Sequence, residues 1–199
     1  MRLHPGEIAE VVARLVVEEG LEYGPAKHRA LKVMGMSGRT ALPGNEEVEE
    51  AVRQYIAIFC AETQAFELQA LRSLALEWME RMAAFQPYLS GAVWHGTATR
   101  RSDIHIALFC EDEKEAEIAL IDMGVRYAPQ TVMGLHAKPV EALSISQLCP
   151  ALGEWVGVHL RVYDRDDLRG ALLADAKNRP PRGDLAAVRQ LLHDSVHEK

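Results

Sequence analysis

Near Pro87 the apolar residues of this chain change their spacing, and that change limits what the chain can fold into. Before it they recur at the period of a helix. Glu7 to Glu19 puts Ile8, Val11, Val12, Leu15 and Val16 on one face. Gly20 and Gly24 punctuate the pattern, and Pro25 can open a second helix in its first turn. Gly35 to Gly44 reads as a loop. Asn45 is a candidate N-cap for a long helical stretch reaching Phe85, with Glu46, Glu47, Glu49 and Glu50 in its first turns. Ile56, Phe59, Phe66, Leu71, Trp78 and Met82 belong to its apolar surface, which reads as core.

After Pro87 the pattern alternates. Asp103 to Phe109 (D-I-H-I-A-L-F) has the period of a half-buried strand. Ala92 to Trp94 is short and apolar. Glu111 to Met123 predicts a helix ended by Gly124. Val125 to Val132, Val140 to Ile145 and Val158 to Tyr163 predict strands, Asp166 to Ala176 a helix, and Asp184 the cap of a last helix. Helices followed by a mixed strand–helix unit predict an α+β fold. The expected division is a helical region over 1–86 and a mixed β-sheet core flanked by helices over 87–199.

Composition narrows the function classes. A net charge of −7 argues against a nucleic-acid footprint or an anionic membrane surface as the main partner. No apolar run approaches the roughly 20 residues of a membrane helix, and the N-terminus does not read as a signal peptide. Cys60, Cys110 and Cys149 are odd in number and set among apolar residues. They predict reduced thiols and a cytoplasmic location. Lys27, His28, Arg29, Lys32 and Arg39 form the densest basic stretch and read as a solvated helix face, with a phosphate contact as the alternative.

The chemistry concentrates in G-A-V-W-H-G-T-A-T-R-R-S-D-I-H-I, residues 91–106. Gly91, Gly96, Thr97, Ala98, Ser102, Asp103 and Ile104 match in kind and spacing the signature of the nucleotidyltransferase superfamily, the fold of DNA polymerase beta. The resemblance covers roughly residues 88–170. It implies a glycine turn that admits phosphate oxygens, with Gly91, Gly96, Thr97 and Ser102 shaping it around a nucleoside triphosphate. It also implies two carboxylates two residues apart on a strand, hence on one face. With a third from a neighbouring strand they hold Mg²⁺.

This chain departs from that pattern. Ala92 replaces a serine. His105 replaces the second carboxylate, and His159, in G-V-H-L-R-V, stands where the third belongs. Glu141 is the other candidate for a third acid. Imidazoles suit Mg²⁺ poorly, so the family's Mg²⁺ or Mn²⁺ would be held weakly, while Asp103, His105 and His159 together are a set suited to Zn²⁺, Mn²⁺ or Fe²⁺. Two function classes stay open. One is a nucleotide-binding or regulatory protein that has lost the chemistry, its N-terminal helices offering a surface to a protein partner or a second copy. The other is a metal-dependent transferase with an altered site, Asp103 its surviving catalytic ligand. The plainer readings are an exposed Asp103 capping a turn with Ser102, and histidines bonded to backbone.

Overall fold

The computed structural model describes residues 5–175 and 177–197. The architecture is α+β, and its contacts group into two compact units. The first holds the chain up to Leu68 together with 97–102; the second holds 69–96 and 103 onward. The chain thus passes between the units after Leu68, Gly96 and Ser102. No helix among the described residues is long and apolar enough to cross a membrane.

The first unit is helical: α1 (Pro5–Glu19), α2 (Tyr23–Val33), α3 (Asn45–Phe59) and the start of α4 (Gln64–Arg81). Ile8, Val12 and Val16 of α1 meet Ala26, Ala30 and Leu31 of α2 and Val48, Val52 and Ile56 of α3 in one buried cluster, as the helical spacing predicts. Asn45 is the first helical residue and not the cap. Gly44 takes the cap position, and Asn45 Oδ1 accepts a hydrogen bond from Lys27 Nζ at 2.6 Å. The long stretch breaks at residues 60–63, where Thr63 and Gln64 both donate to the Cys60 carbonyl. Phe59 and Phe66 flank that break and are exposed, 67% and 57%, not core as their spacing suggested.

Residues 97–102 belong to this unit. Gln64 Nε2 donates to the Ala98 carbonyl at 2.9 Å, and the Arg100 N–H donates to Glu67 Oε2 at 2.9 Å. Thr99 Oγ1 reaches the Val17 carbonyl at 3.4 Å.

The second unit continues α4 and adds β1 (Tyr88–Ser90), α5 (Gly91–His95), β2 (Ile104–Cys110), α6 (Glu113–Asp122), β3 (Ala128–Met133), β4 (Pro139–Cys149), β5 (Glu154–Asp164), α7 (Leu168–Ala171), β6 (Arg182–Gly183) and α8 (Leu185–His197). The sheet order is β3-β4-β5-β2-β1-β6. β2 and β5 run parallel, and the other neighbouring pairs are antiparallel. Alternation sorts the sheet into two faces. Ile104, Ile106 and Leu108 of β2, Leu143 and Ile145 of β4 and Val158, Leu160 and Val162 of β5 form a buried apolar face. The other face carries His105, His159 and Ser144 at one end and Phe109 and Tyr163 at the other.

Ala92 to Trp94 proves helical, as part of α5. The helix expected over 166–176 is reduced to a 3₁₀ turn at Arg165–Asp167 and the single turn α7; Ala176 lies outside the described residues. Asp184 does cap α8, its Oδ1 accepting from the Ala187 N–H at 2.8 Å.

Candidate functional site

The site grows from the register of five strands. Arg182 on β6 pairs with Ser90 on β1, Ser90 with His105 on β2, His105 with His159 on β5, and His159 with Ser144 on β4. Paired residues point to the same side of a sheet, so these side chains share one row. Asp103 stands two residues before His105 and therefore reaches the same face. Three of the side chains singled out in the sequence are thus brought together. The His105 and His159 rings stack, 5.0 Å between centroids and 19° between planes, and His159 Nε2 lies 3.1 Å from Asp103 Oδ2.

A hydrogen-bonded chain runs through His159. Ser144 Oγ sits 2.8 Å from its Nδ1, and Asp103 Oδ1 accepts from the Gly157 N–H at 3.0 Å. Ionised Asp103 is an acceptor alone, so the Nε2 that faces it carries the proton. Nδ1 shares the second hydrogen bond with the Ser144 hydroxyl, which can donate or accept. Gly157 is needed for this approach. A Cβ there would stand 2.6 Å from Asp103 Oδ1 and 2.7 Å from its Cγ.

The Asp103 carboxyl is held below its usual range. The hydrogen bond from His159 is the largest cause; burial opposes it, and the His159 charge, the Gly157 N–H and His105 add to the lowering. A lowered carboxyl contributes stability above its unfolded pKa and loses it as pH falls through the folded value. Asp103→Asn should therefore lower the urea midpoint at neutral pH and flatten the acid limb, the difference from wild type vanishing as the pH falls below about 4. The Asp103 side chain is 46% exposed, which keeps the effect under about 1 kcal/mol. An unaltered acid limb would show that the pair carries no stability.

This geometry bears on the metal that the resemblance implies. Mg²⁺ asks for several oxygen ligands in an octahedron. Here one carboxylate is present, with both oxygens already accepting hydrogen bonds, and His159 has Nδ1 turned to Ser144 and Nε2 to Asp103. The set does not fit Mg²⁺. A softer ion would have to turn His159 away from both partners. Glu141 does not join the group: it lies on the opposite face of β4, 3.6 Å from Lys114 of α6.

The glycine-turn residues divide. Gly91 has φ +69° and packs against His105, where a Cβ would meet Cδ2 at 3.5 Å. Gly96 closes α5 in the left-handed region, φ 82°, and its N–H donates to the Ala92 carbonyl at 2.9 Å. Thr97 and Ser102 belong to the first unit. Thr97 is buried, and Ser102 Oγ accepts the Thr99 N–H at 3.0 Å. Ser102 thus caps a turn on its own, and Asp103 is engaged elsewhere.

Ser144 and Gly157 escape a sequence reading. Their signal is the hairpin: residues 150–153 form its turn, and counting back from Cys149 opposite Glu154 brings Ser144 to His159. Comparison with protein-family models, with curated proteins and with solved structures finds no match.

Proposed function

We propose that this chain is a divergent nucleotidyltransferase-like protein that binds a nucleotide or acts in regulation, with the two-metal chemistry lost. One observation carries the reading. Asp103, His105 and His159 share a sheet face beside Gly91, at the positions where the resemblance expects three acids and a glycine turn. A convergence of this kind is what a nucleotide site requires, and the imidazoles explain why transfer would fail.

Support for the regulatory half comes from the first unit, where Ile58, Phe59 and Phe66 are 71%, 67% and 57% exposed around the α3–α4 break. Exposed apolar side chains in such a group suit a protein partner or a second copy. The competing reading, an active transferase with an Asp/His metal site, needs His159 to leave Asp103 and Ser144 first.

Titration calorimetry with each nucleoside triphosphate, with and without Mg²⁺ or Mn²⁺, tests the proposal. We expect heat from at least one nucleotide and no pyrophosphate release in a coupled assay. Sustained pyrophosphate release that depends on Asp103 would favour the transferase instead. Absence of binding under every combination would remove the nucleotide reading.

A further inference from the structure

Three side chains of the second unit stand in the order that nucleophilic catalysis by a serine requires. Ser144 Oγ is 2.8 Å from His159 Nδ1, and His159 Nε2 is 3.1 Å from Asp103 Oδ2. Asp103 is itself fixed by the Gly157 N–H, and the His105 ring stacks on His159. The ring is turned end for end relative to the usual serine triad, in which Nε2 faces the serine and Nδ1 the carboxylate. The exchange does not alter the chemistry, because a proton on one ring nitrogen leaves the lone pair on the other. The group is also open to solvent. Ser144 is half-buried between its two register partners, His159 and the exposed Ala128 of β3. The side chains of His159 and Asp103 are 25% and 46% exposed.

We propose that Ser144 is a nucleophile, activated by His159 and Asp103, toward carboxylic esters with a good leaving group. The inference is independent of the nucleotide reading above. With His159 neutral and its Nε2–H toward Asp103, Nδ1 takes the hydroxyl proton as Ser144 Oγ bonds to the ester carbonyl carbon. The carbonyl re-forms as the C–O bond to the alcohol breaks, and the alcohol leaves with the proton from Nδ1. Water then gives a proton to Nδ1 and its oxygen to the acyl carbon, and the acid leaves as that proton returns to Ser144 Oγ. Asp103 is a positioning residue, which orients the ring and offsets the imidazolium charge. The substrate class follows from where Ser144 stands. It lies within the ladder, with β3 on one side and β5 on the other, and not at a strand–helix elbow that frees N–H groups for an oxyanion. Lacking one such donor costs about 10²–10³ in rate, so the site suits aryl esters and not amides.

The test is labelling of the full chain with a fluorophosphonate, which a serine attacks at phosphorus with loss of fluoride, followed by peptide mapping by mass spectrometry. Wild type, Ser144→Ala, His159→Gln and Asp103→Asn are compared, with a thermal melt of each. The expected result is an adduct on Ser144, absent from Ser144→Ala and formed about a hundredfold or more slowly in folded His159→Gln. Asp103→Asn should slow it as well, and decides the matter if His159→Gln does not fold. Ser146 is the internal control. It is exposed two residues along β4, on the same face, and its register partner is Gly157 and not a histidine. It should stay unlabelled. Wild type should also release p-nitrophenol from p-nitrophenyl acetate in a burst that Ser144→Ala lacks. No adduct on Ser144 would overturn the proposal. So would labelling of Ser146 at the same rate, or a rate on Ser144 that the folded His159 and Asp103 variants leave unchanged. An adduct without ester cleavage would overturn the assignment to esters.

Discussion

Gly20→Ala should destabilise the helical unit by about 2–4 kcal/mol, combining left-handed strain with overpacking. Gly20 ends α1 with φ +70°, a conformation that costs an alanine and not a glycine. A Cβ there would stand 2.0 Å from the Arg101 carbonyl oxygen. That atom is backbone and has no rotamer by which to withdraw. The 97–102 segment would have to lift, and with it would go the hydrogen bonds from Gln64 to Ala98 and from Arg100 to Glu67. Urea unfolding followed by far-UV circular dichroism is the right measurement, since Trp78, Trp94 and Trp155 all lie in the other unit. The control is Gly6→Ala, where a Cβ meets nothing within 4 Å and φ is not positive; it should be neutral or slightly stabilising. Equal midpoints for the two variants would mean that Gly20 does not need its glycine.

Why some of this was legible in the sequence and some not follows from range. Helices α1 and α6, strand β2 and the cap at Asp184 are written in local spacing, and local spacing is what a sequence displays. The placement of Asp103 and His105 on one face follows from the two-residue period alone. The contact between His159 and Asp103 does not, because 55 residues lie between them and only the parallel pairing of β2 with β5 closes the distance. Elements of few residues were lost for a different reason. β1 is three residues long and α5 five, too short to show a period, so the strand went unseen and Ala92 to Trp94 had no helical signature. Phe59 and Phe66 show that hydrophobicity alone does not imply burial: both flank the break at 60–63 and are exposed.

The site residues show the same limit. Asp103, His105 and His159 were nameable because they sit where a known pattern expects ligands. Ser144 matched nothing, yet its hydroxyl lies 2.8 Å from His159 Nδ1 and occupies the ring nitrogen that Asp103 does not. The basic stretch on α2 attracted notice through density of charge. Two of its members have ordinary partners: Lys27 donates to Asn45, and Arg29 lies 3.0 Å from Glu19. Charge clustering in sequence and charge clustering in space are different quantities, and the second is the one that a ligand meets.

Gly157→Val should cost about 2–4 kcal/mol, from overpacking and from the lost hydrogen bonds to a charged group. The damage should centre on Asp103. The new side chain would occupy the space of the carboxylate, whose three atoms lie 2.6–2.9 Å from the Cβ position. Asp103 would then swing away from the Gly157 N–H and from His159 Nε2, leaving the His159 ring held by Ser144 alone. Valine is otherwise at home in a strand, so a small loss would be ordinary and a large one specific to the carboxylate. A double-mutant cycle isolates that cause. Asp103→Ala removes the atoms that valine meets, and Gly157→Val with Asp103→Ala should therefore be less destabilised than the sum of the single variants by about 1 kcal/mol or more. Proton–nitrogen correlation spectra of the histidine side chains give an independent readout: Gly157→Val should alter the His159 signals much as Asp103→Ala does. Additive energies with unchanged His159 signals would mean that the close approach of Asp103 to Gly157 does not hold in solution. His159 Nε2 would then have no carboxylate facing it and could be presented to a metal ion.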